Sequence, residues 1–145
     1  MIFFQVNDVP IAQPRQRHAV KFSKRQNRHF VQNYIPGDDP VQAWREHVQI
    51  MARQAYHGEP LDGVPISLAV KFLMPRPKAM RGTDRAWHLT RPDCDNLVKA
   101  VKDALTGICW KDDALVCREV ISKEYHAADE QPGASVMIEV IQNGG

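Results

Sequence analysis

Apolar and polar positions recur along this chain with two different periods, and together they mark out alternating strands and helices. Residues 2–6, IFFQV, read as a short strand closed by Asn7, Asp8 and Pro10. Residues 10–37 are polar and basic, with weak strand patterns in HAVKF and RHFVQNYI, and predict a long loop or irregular hairpin. Asp38 or Asp39 then offers an N-cap and Pro40 suits a first helical turn. Val41, Trp44, Val48, Met51 or Ala52, and Ala55 follow at helical spacing up to Gly58, which predicts a helix over 40–56. Beyond Pro60, Gly63 and Pro65, the β-branched and aromatic content of ISLAVKFLM predicts a strand over 65–74.

Pro75 and Pro77 stop that strand, and residues 75–92 form a second basic loop. Asp93, directly after Pro92, opens a second helix that runs to about Leu105, with Gly107 beyond it. At about 100° per residue, Leu97, Val98, Val101, Ala104 and Leu105 share the side that would face a sheet. Asp95, Asn96, Lys99, Lys102 and Asp103 share the other. Residues 114–125 and 134–142 alternate as strands, the latter after a turn at Pro132 and Gly133. The order β-α-β-α-β-β, with its basic N-terminal loop or hairpin, predicts an α+β fold: one mixed sheet with two helices packed on it. A chain of 145 residues without repeats or a dividing linker fits a single domain over 1–145.

Composition adds boundaries. The 43% hydrophobic fraction suits a globular chain, and apolar runs such as ISLAV are far too short to cross a bilayer. The opening MIFFQVNDVP lacks the marks of a secretory leader, so a cytoplasmic protein is expected. Cys94, Cys109 and Cys117 form no C-x-x-C pair and have no histidine at ligand spacing, which leaves them as small, partly buried thiols.

The net charge of +2 hides a strong asymmetry. Arg15, Arg17, Lys21, Lys24, Arg25 and Arg28 have no acid among them, and Lys71, Arg76, Lys78, Arg81, Arg85 and Arg91 face only Asp84. The acids gather around 93–113 and in the C-terminal third. A protein that binds a polyanion around an acidic catalytic centre has this distribution, and so does one with two solvated basic loops.

Asp93 sits at the helix start, where its carboxylate is placed to cap backbone amides. Asp95 and Lys99 lie one turn apart, and the turn before the next strand presents Asp112 and Asp113. If the strand returns beside the helix start, three or four carboxylates meet in one pocket. Like charges that close repel unless a cation sits among them, and Mg²⁺, a hard ion with oxygen ligands, resolves the conflict. Such a centre suits hydrolysis of a phosphodiester, with the basic loops neutralising flanking phosphates. Each part also has a plainer reading: Asp93 as a cap, Asp95 as a first-turn acid, Lys99 as an i,i+4 partner of Asp95 or Asp103, and Asp112-Asp113 as turn residues. A D-x-D also occurs in sugar-nucleotide transferases, but no nucleotide-binding βαβ unit accompanies it here. Asp38, Asp39 and Asp62 have turn or cap explanations.

Taken together, Asp93-Cys94-Asp95-Asn96-Leu97, Lys99, Asp103-Ala104-Leu105 and Trp110-Lys111-Asp112-Asp113 resemble the signature of the RusA family of Holliday-junction resolvases in order and spacing. PIAQPRQRHAVKF is similar to the basic N-terminal stretch of many members. The resemblance implies a homodimer that binds four-way DNA junctions and, with Mg²⁺ (Mn²⁺ as a substitute), makes paired nicks. It implies that Asp93, Asp95 and Asp113 are the essential carboxylates and Lys99 the catalytic lysine, with Asp112 as a further ligand candidate. Cys94 would point away from the aspartates. Arg15, Arg17, Lys21, Lys24, Arg25, Arg76, Lys78, Arg81 and Arg91 are the expected DNA contacts. No membrane association or small-molecule cofactor is expected.

The dimer surface is left open between the exposed part of the helix around Trp44 and the strands after Asp113. Competing readings keep the metal but change the substrate to flaps, forks or plain duplex, or keep junction binding without catalysis. A metal-independent RNA-binding protein is disfavoured by the lack of an aromatic stacking motif.

Overall fold

Alternate residues of the strand β4 (Ile66–Met74) are buried along its whole length, and this strand organises the molecule. The computed structural model describes residues 1–14, 17–34 and 39–142, so Arg15 and Asp38 lie outside the described residues. β4 pairs antiparallel with β7 (Gly133–Val140) on one side and parallel with β6 (Val116–Tyr125) on the other. β1 (Ile2–Val6) pairs antiparallel with β7, giving a mixed five-stranded sheet in the order β1-β7-β4-β6-β5. Gly133 starts β7 where the backbone carbonyl of Val6 passes too close for any Cβ.

Helices α1 (Pro40–Ala55) and α2 (Cys94–Leu105) cover one face of this sheet. Asp39 caps α1, its carboxylate accepting from the Val41 amide at 3.0 Å, and Pro40 fills the first turn as expected. Val41, Trp44, Val48 and Ala52 face the core, as do Leu97, Val98, Ala100, Val101, Ala104 and Leu105 of α2. Gln49 of α1 also donates to the Ala104 carbonyl of α2, so α2 is seated on α1 as well as on the sheet. The α+β architecture matches the expectation from pattern.

Of the loop or hairpin expected in the basic N-terminal stretch, the described residues form a hairpin, β2 (Arg17–Ser23) antiparallel to β3 (Arg28–Tyr34), in a sheet of its own. Further features go beyond the expectation. The second basic loop contains the two-residue β5 (Ala86–Trp87), paired with Tyr125 and Glu124 at the end of β6. Arg85 holds that loop by a two-pronged pair with Glu130, whose carboxyl it draws down to about 2. A 3₁₀ turn, Asp113–Leu115, precedes β6.

Trp44 is 1% exposed, so the exposed side of α1 does not include its ring. All three cysteines are free thiols: Cys94 half-buried, Cys109 buried with its pKa raised to about 11 by desolvation, and Cys117 exposed, contrary to expectation. Among the described residues no helix is long and apolar enough to cross a membrane.

Candidate active site

The polar side of α2 and the start of β6 enclose a cavity of about 310 Å³, lined by Asp95, Val98, Lys99, Lys102, Asp103, Asp113 and Glu119. The connection between helix and strand explains how Asp113 reaches it. α2 ends at Leu105, and Gly107 takes a positive φ of +91°, a conformation open to glycine at no steric cost. The chain then buries Trp110 completely, with its indole Nε1 donating to Thr106 Oγ1 at 3.0 Å. Leu61 brackets the same turn, its amide donating to the Cys109 carbonyl and its carbonyl accepting from the Lys111 amide, both at 2.9 Å. Trp110 therefore anchors the turn that delivers Asp112 and Asp113 beside α2.

Asp95 and Asp113, separated in sequence by the whole of this turn, thus share one cavity with Lys99. All three are exposed within it. Lys99 makes no ion pair among the described residues, so the i,i+4 bridges to Asp95 or Asp103 do not form. The lysine that does pair is Lys102, whose Nζ lies 2.7 Å from Glu119 across the cavity.

Glu119 and Asp103 were not singled out as site residues from sequence. The signal for Glu119 lies in register: β6 runs parallel to β4 with Leu68 opposite Glu119 and Phe72 opposite Lys123, which places both β6 residues on the helix-covered face.

Asp93 and Asp112 are placed differently. Asp93 is exposed at the N-cap position of α2, but its side chain makes no capping bond and does not line the cavity. The segment before it is held from β6 instead. Lys123 Nζ donates to the carbonyls of Thr90 at 2.5 Å and Pro92 at 2.8 Å and sits 3.3 Å from His88 Nδ1. Burial, aided by this ammonium, lowers the His88 pKa and keeps its ring neutral, so that a ring nitrogen can accept a hydrogen bond from Lys123. Asp112 caps the 3₁₀ turn, accepting from the Ala114 amide at 2.9 Å.

The donors in this region are carboxylate oxygens, the type a hard divalent cation takes. Among the described residues no group of three His, Cys, Asp or Glu side chains converges on one point. Mg²⁺ is commonly held by one or two carboxylates, with waters and substrate phosphate completing its shell, so the Asp95–Asp113 pair matches its chemistry.

The expected DNA contacts also separate. Lys21, Lys24 and Arg25 are exposed on the hairpin, Lys78 and Arg81 on the second loop, and Arg91 just before Pro92. Arg17 opens β2. Arg76 turns inward, its guanidinium donating to the carbonyls of Arg81, Gly82, Asp84 and His126, so it builds the loop that carries Lys78 and Arg81.

A protein of Bacillus subtilis (strain 168), named Uncharacterized protein YqaN, is 32% identical over 148 residues, covering 94% of this chain and 94% of that protein. The family model of endodeoxyribonuclease RusA matches residues 9–139, a span that takes in the hairpin, both helices and the cavity between α2 and β6. The chain belongs to the RusA endodeoxyribonuclease family.

Proposed function

We propose that this protein is an Mg²⁺-dependent endodeoxyribonuclease that resolves four-way (Holliday) DNA junctions by paired symmetric nicks. The observation that carries the reading is the shared cavity: Asp95 from the first turn of α2 and Asp113 from the 3₁₀ turn before β6 line it together with Lys99. Mg²⁺ bound there, with Mn²⁺ as a substitute, would supply Lewis acidity for phosphodiester hydrolysis. Asp95 and Asp113 would hold it. Asp93, exposed at the helix start with its carboxylate uncommitted to a cap, stands next as a ligand, and Asp112 is the weaker candidate because one oxygen already caps a turn.

Lys99 would offset the charge that builds on the scissile phosphate, an interaction strongest in the transition state. The Lys102–Glu119 pair and the buried Trp110 keep the two carboxylate-bearing elements at a fixed separation. Lys21, Lys24, Arg25, Lys78, Arg81 and Arg91 would neutralise flanking phosphates, together with Arg17 at the start of β2 and Arg15 two positions before it in sequence. Cleavage would leave a 5′-phosphate and a 3′-hydroxyl, ends that a ligase can seal.

Two equivalent nicks call for two equivalent sites, which a two-fold homodimer supplies. The strands after Asp113 are the better candidate surface, since Val120 of β6 and Met137 of β7 are exposed on the sheet face away from the helices, beside Phe3 of β1. A protein acting on chromosomal junctions would work in the cytoplasm.

Purified protein is tested on a labelled four-way junction and a linear duplex with Mg²⁺. The reading expects nicks on the junction, little on duplex, and loss of cleavage with retained binding in Asp95→Asn. Junction binding without cleavage in either Mg²⁺ or Mn²⁺ would leave a non-catalytic branched-DNA binding protein.

A further inference from the structure

The hairpin displays more apolar surface than a soluble two-stranded ribbon gains by showing. Phe22 is 50% exposed, Phe30 42% and Val20 69%, and none of them belongs to the core or the residues packed on it. Register explains the exposure. Phe22 pairs with His29 and Lys21 with Phe30, so each face of the ribbon carries an aromatic ring, and two strands alone cannot bury either. On one face Phe22 and His29 already touch, with ring centroids 5.1 Å apart.

The surroundings of these rings are basic. Lys21 lies beside Phe30, Lys24 and Arg25 form the turn, and Arg28 follows it, its Nε bonded to Gln26 Oε1 at 2.9 Å. No acid occurs in residues 15–28.

Four residues before β2, the Gln13 amide donates to the carbonyl of Asn96 at 2.9 Å, one residue beyond Asp95. Gln13 is itself 8% exposed, so this attachment is a buried one.

We infer that the β2–β3 hairpin is a base-stacking element, which places Phe22 and Phe30 against nucleobases unstacked at the branch point of the DNA. This inference rests on the junction-cleaving reading above and names how the branch is distinguished from plain duplex. Exposed aromatic rings inside a basic surface are the pairing that single-stranded nucleic acid takes: cations follow the phosphates and rings stack on bases. In a continuous duplex the bases are stacked on one another, and the rings have nothing to receive. At a crossover, stacking is interrupted, and a protruding ribbon carrying rings on both faces can occupy the gap. A second copy of the same ribbon is a poor occupant, because it would bring Lys21, Lys24, Arg25 and Arg28 against their own like charges.

The test measures binding of a four-way junction and of a duplex of equal length in Ca²⁺, together with cleavage of both in Mg²⁺. The proteins compared are wild type, Phe22→Leu, Phe22→Trp, and Phe22→Ala combined with Phe30→Ala. Base–aromatic stacking is worth about fivefold in affinity per ring or more. The double alanine variant is therefore expected to lose junction affinity by at least that factor, with duplex affinity unchanged. Leucine keeps the apolar bulk but lacks a π-face, so it should behave like alanine at that position, and tryptophan should restore binding.

Because both rings are half exposed and lie outside the core, the thermal midpoint of the folded protein should hardly move. Equal losses on junction and duplex, or no loss on either, would overturn the inference while wild-type junction cleavage left the functional reading standing. A wild-type protein that did not prefer junction to duplex would overturn both.

Discussion

The two parts of this molecule proposed to meet DNA are built on opposite plans. Around the cavity, every element is fixed by something buried or paired: Trp110 under the Asp113 turn, Lys102 with Glu119 across it, and Lys123 gripping the segment before Asp93. The β2–β3 hairpin has no such support, with two strands, half-exposed rings, and no ion pair involving Lys21, Lys24 or Arg25 among the described residues. Hydrolysis needs its groups held within a fraction of an ångström, which rewards a rigid frame. Reading a branched substrate needs accessible charge and ring surface, which a rigid core would hide.

If this division is right, damage to the frame should cost stability and turnover, while damage to the hairpin should cost only recognition. The largest effect is expected at Trp110. Trp110→Ala removes a completely buried indole and should destabilise the fold by about 3–5 kcal/mol, seen as a lower midpoint in urea unfolding. Phe30→Ala on the hairpin should leave the same midpoint within about 0.5 kcal/mol. A hairpin variant that destabilised as much as Trp110→Ala would erase the contrast.

Next in size is Lys123, which does not line the cavity but holds the segment leading into Asp93 and Asp95. Lys123→Met frees the Thr90 and Pro92 carbonyls, and the resulting misplacement of Asp93 and Asp95 should lower kcat by about ten- to a hundredfold with junction affinity nearly unchanged. Lys123→Arg, which keeps donors in reach, should recover part of the loss. A fall in affinity without a fall in kcat would place Lys123 on the binding side.

The smallest effect is one of pH. His88 is neutral beside Lys123 because burial holds its pKa below the usual 6.5. The unfolded chain therefore takes up this proton first as pH falls. The His88 contribution to stability should be complete above 6.5 and be lost as pH drops through the lowered folded value. A thermal-unfolding series across that range should show a slope that His88→Gln removes, whereas His29→Gln on the hairpin should leave it in place.

Much of the frame was legible in the chain. IFFQV, the Asp39-Pro40 start of α1, the ISLAVKFLM strand and the apolar side of α2 each follow from local pattern, because each buries one regular face. The return of the Asp112–Asp113 turn toward α2 follows from the order of elements, although of the four aspartates expected to gather there only Asp95 and Asp113 line the cavity.

What stayed hidden depends on tertiary pairing. The two exposed residues of β5 have no periodicity and exist as a strand only through the end of β6. Glu119 faces the cavity because of the parallel register with β4, and nothing local distinguishes it from its neighbours. Asp93 looked like a cap, but its side chain makes no capping bond, while Lys123, thirty residues further along the chain, fixes the backbone ahead of it. Arg76 looked like a phosphate contact, and its guanidinium instead satisfies four carbonyls of its own loop and the strand connection beside it.

The most direct measurement is cleavage of a supercoiled plasmid carrying an extruded cruciform by purified protein in Mg²⁺, with Asp113→Asn alongside. Two coordinated nicks across one junction convert the plasmid to linear DNA before nicked circles accumulate, and this is the result expected of the wild type, with no cleavage by the variant. Accumulation of nicked circles alone, or linearisation that survives Asp113→Asn, would contradict a paired resolvase centred on the α2–β6 cavity.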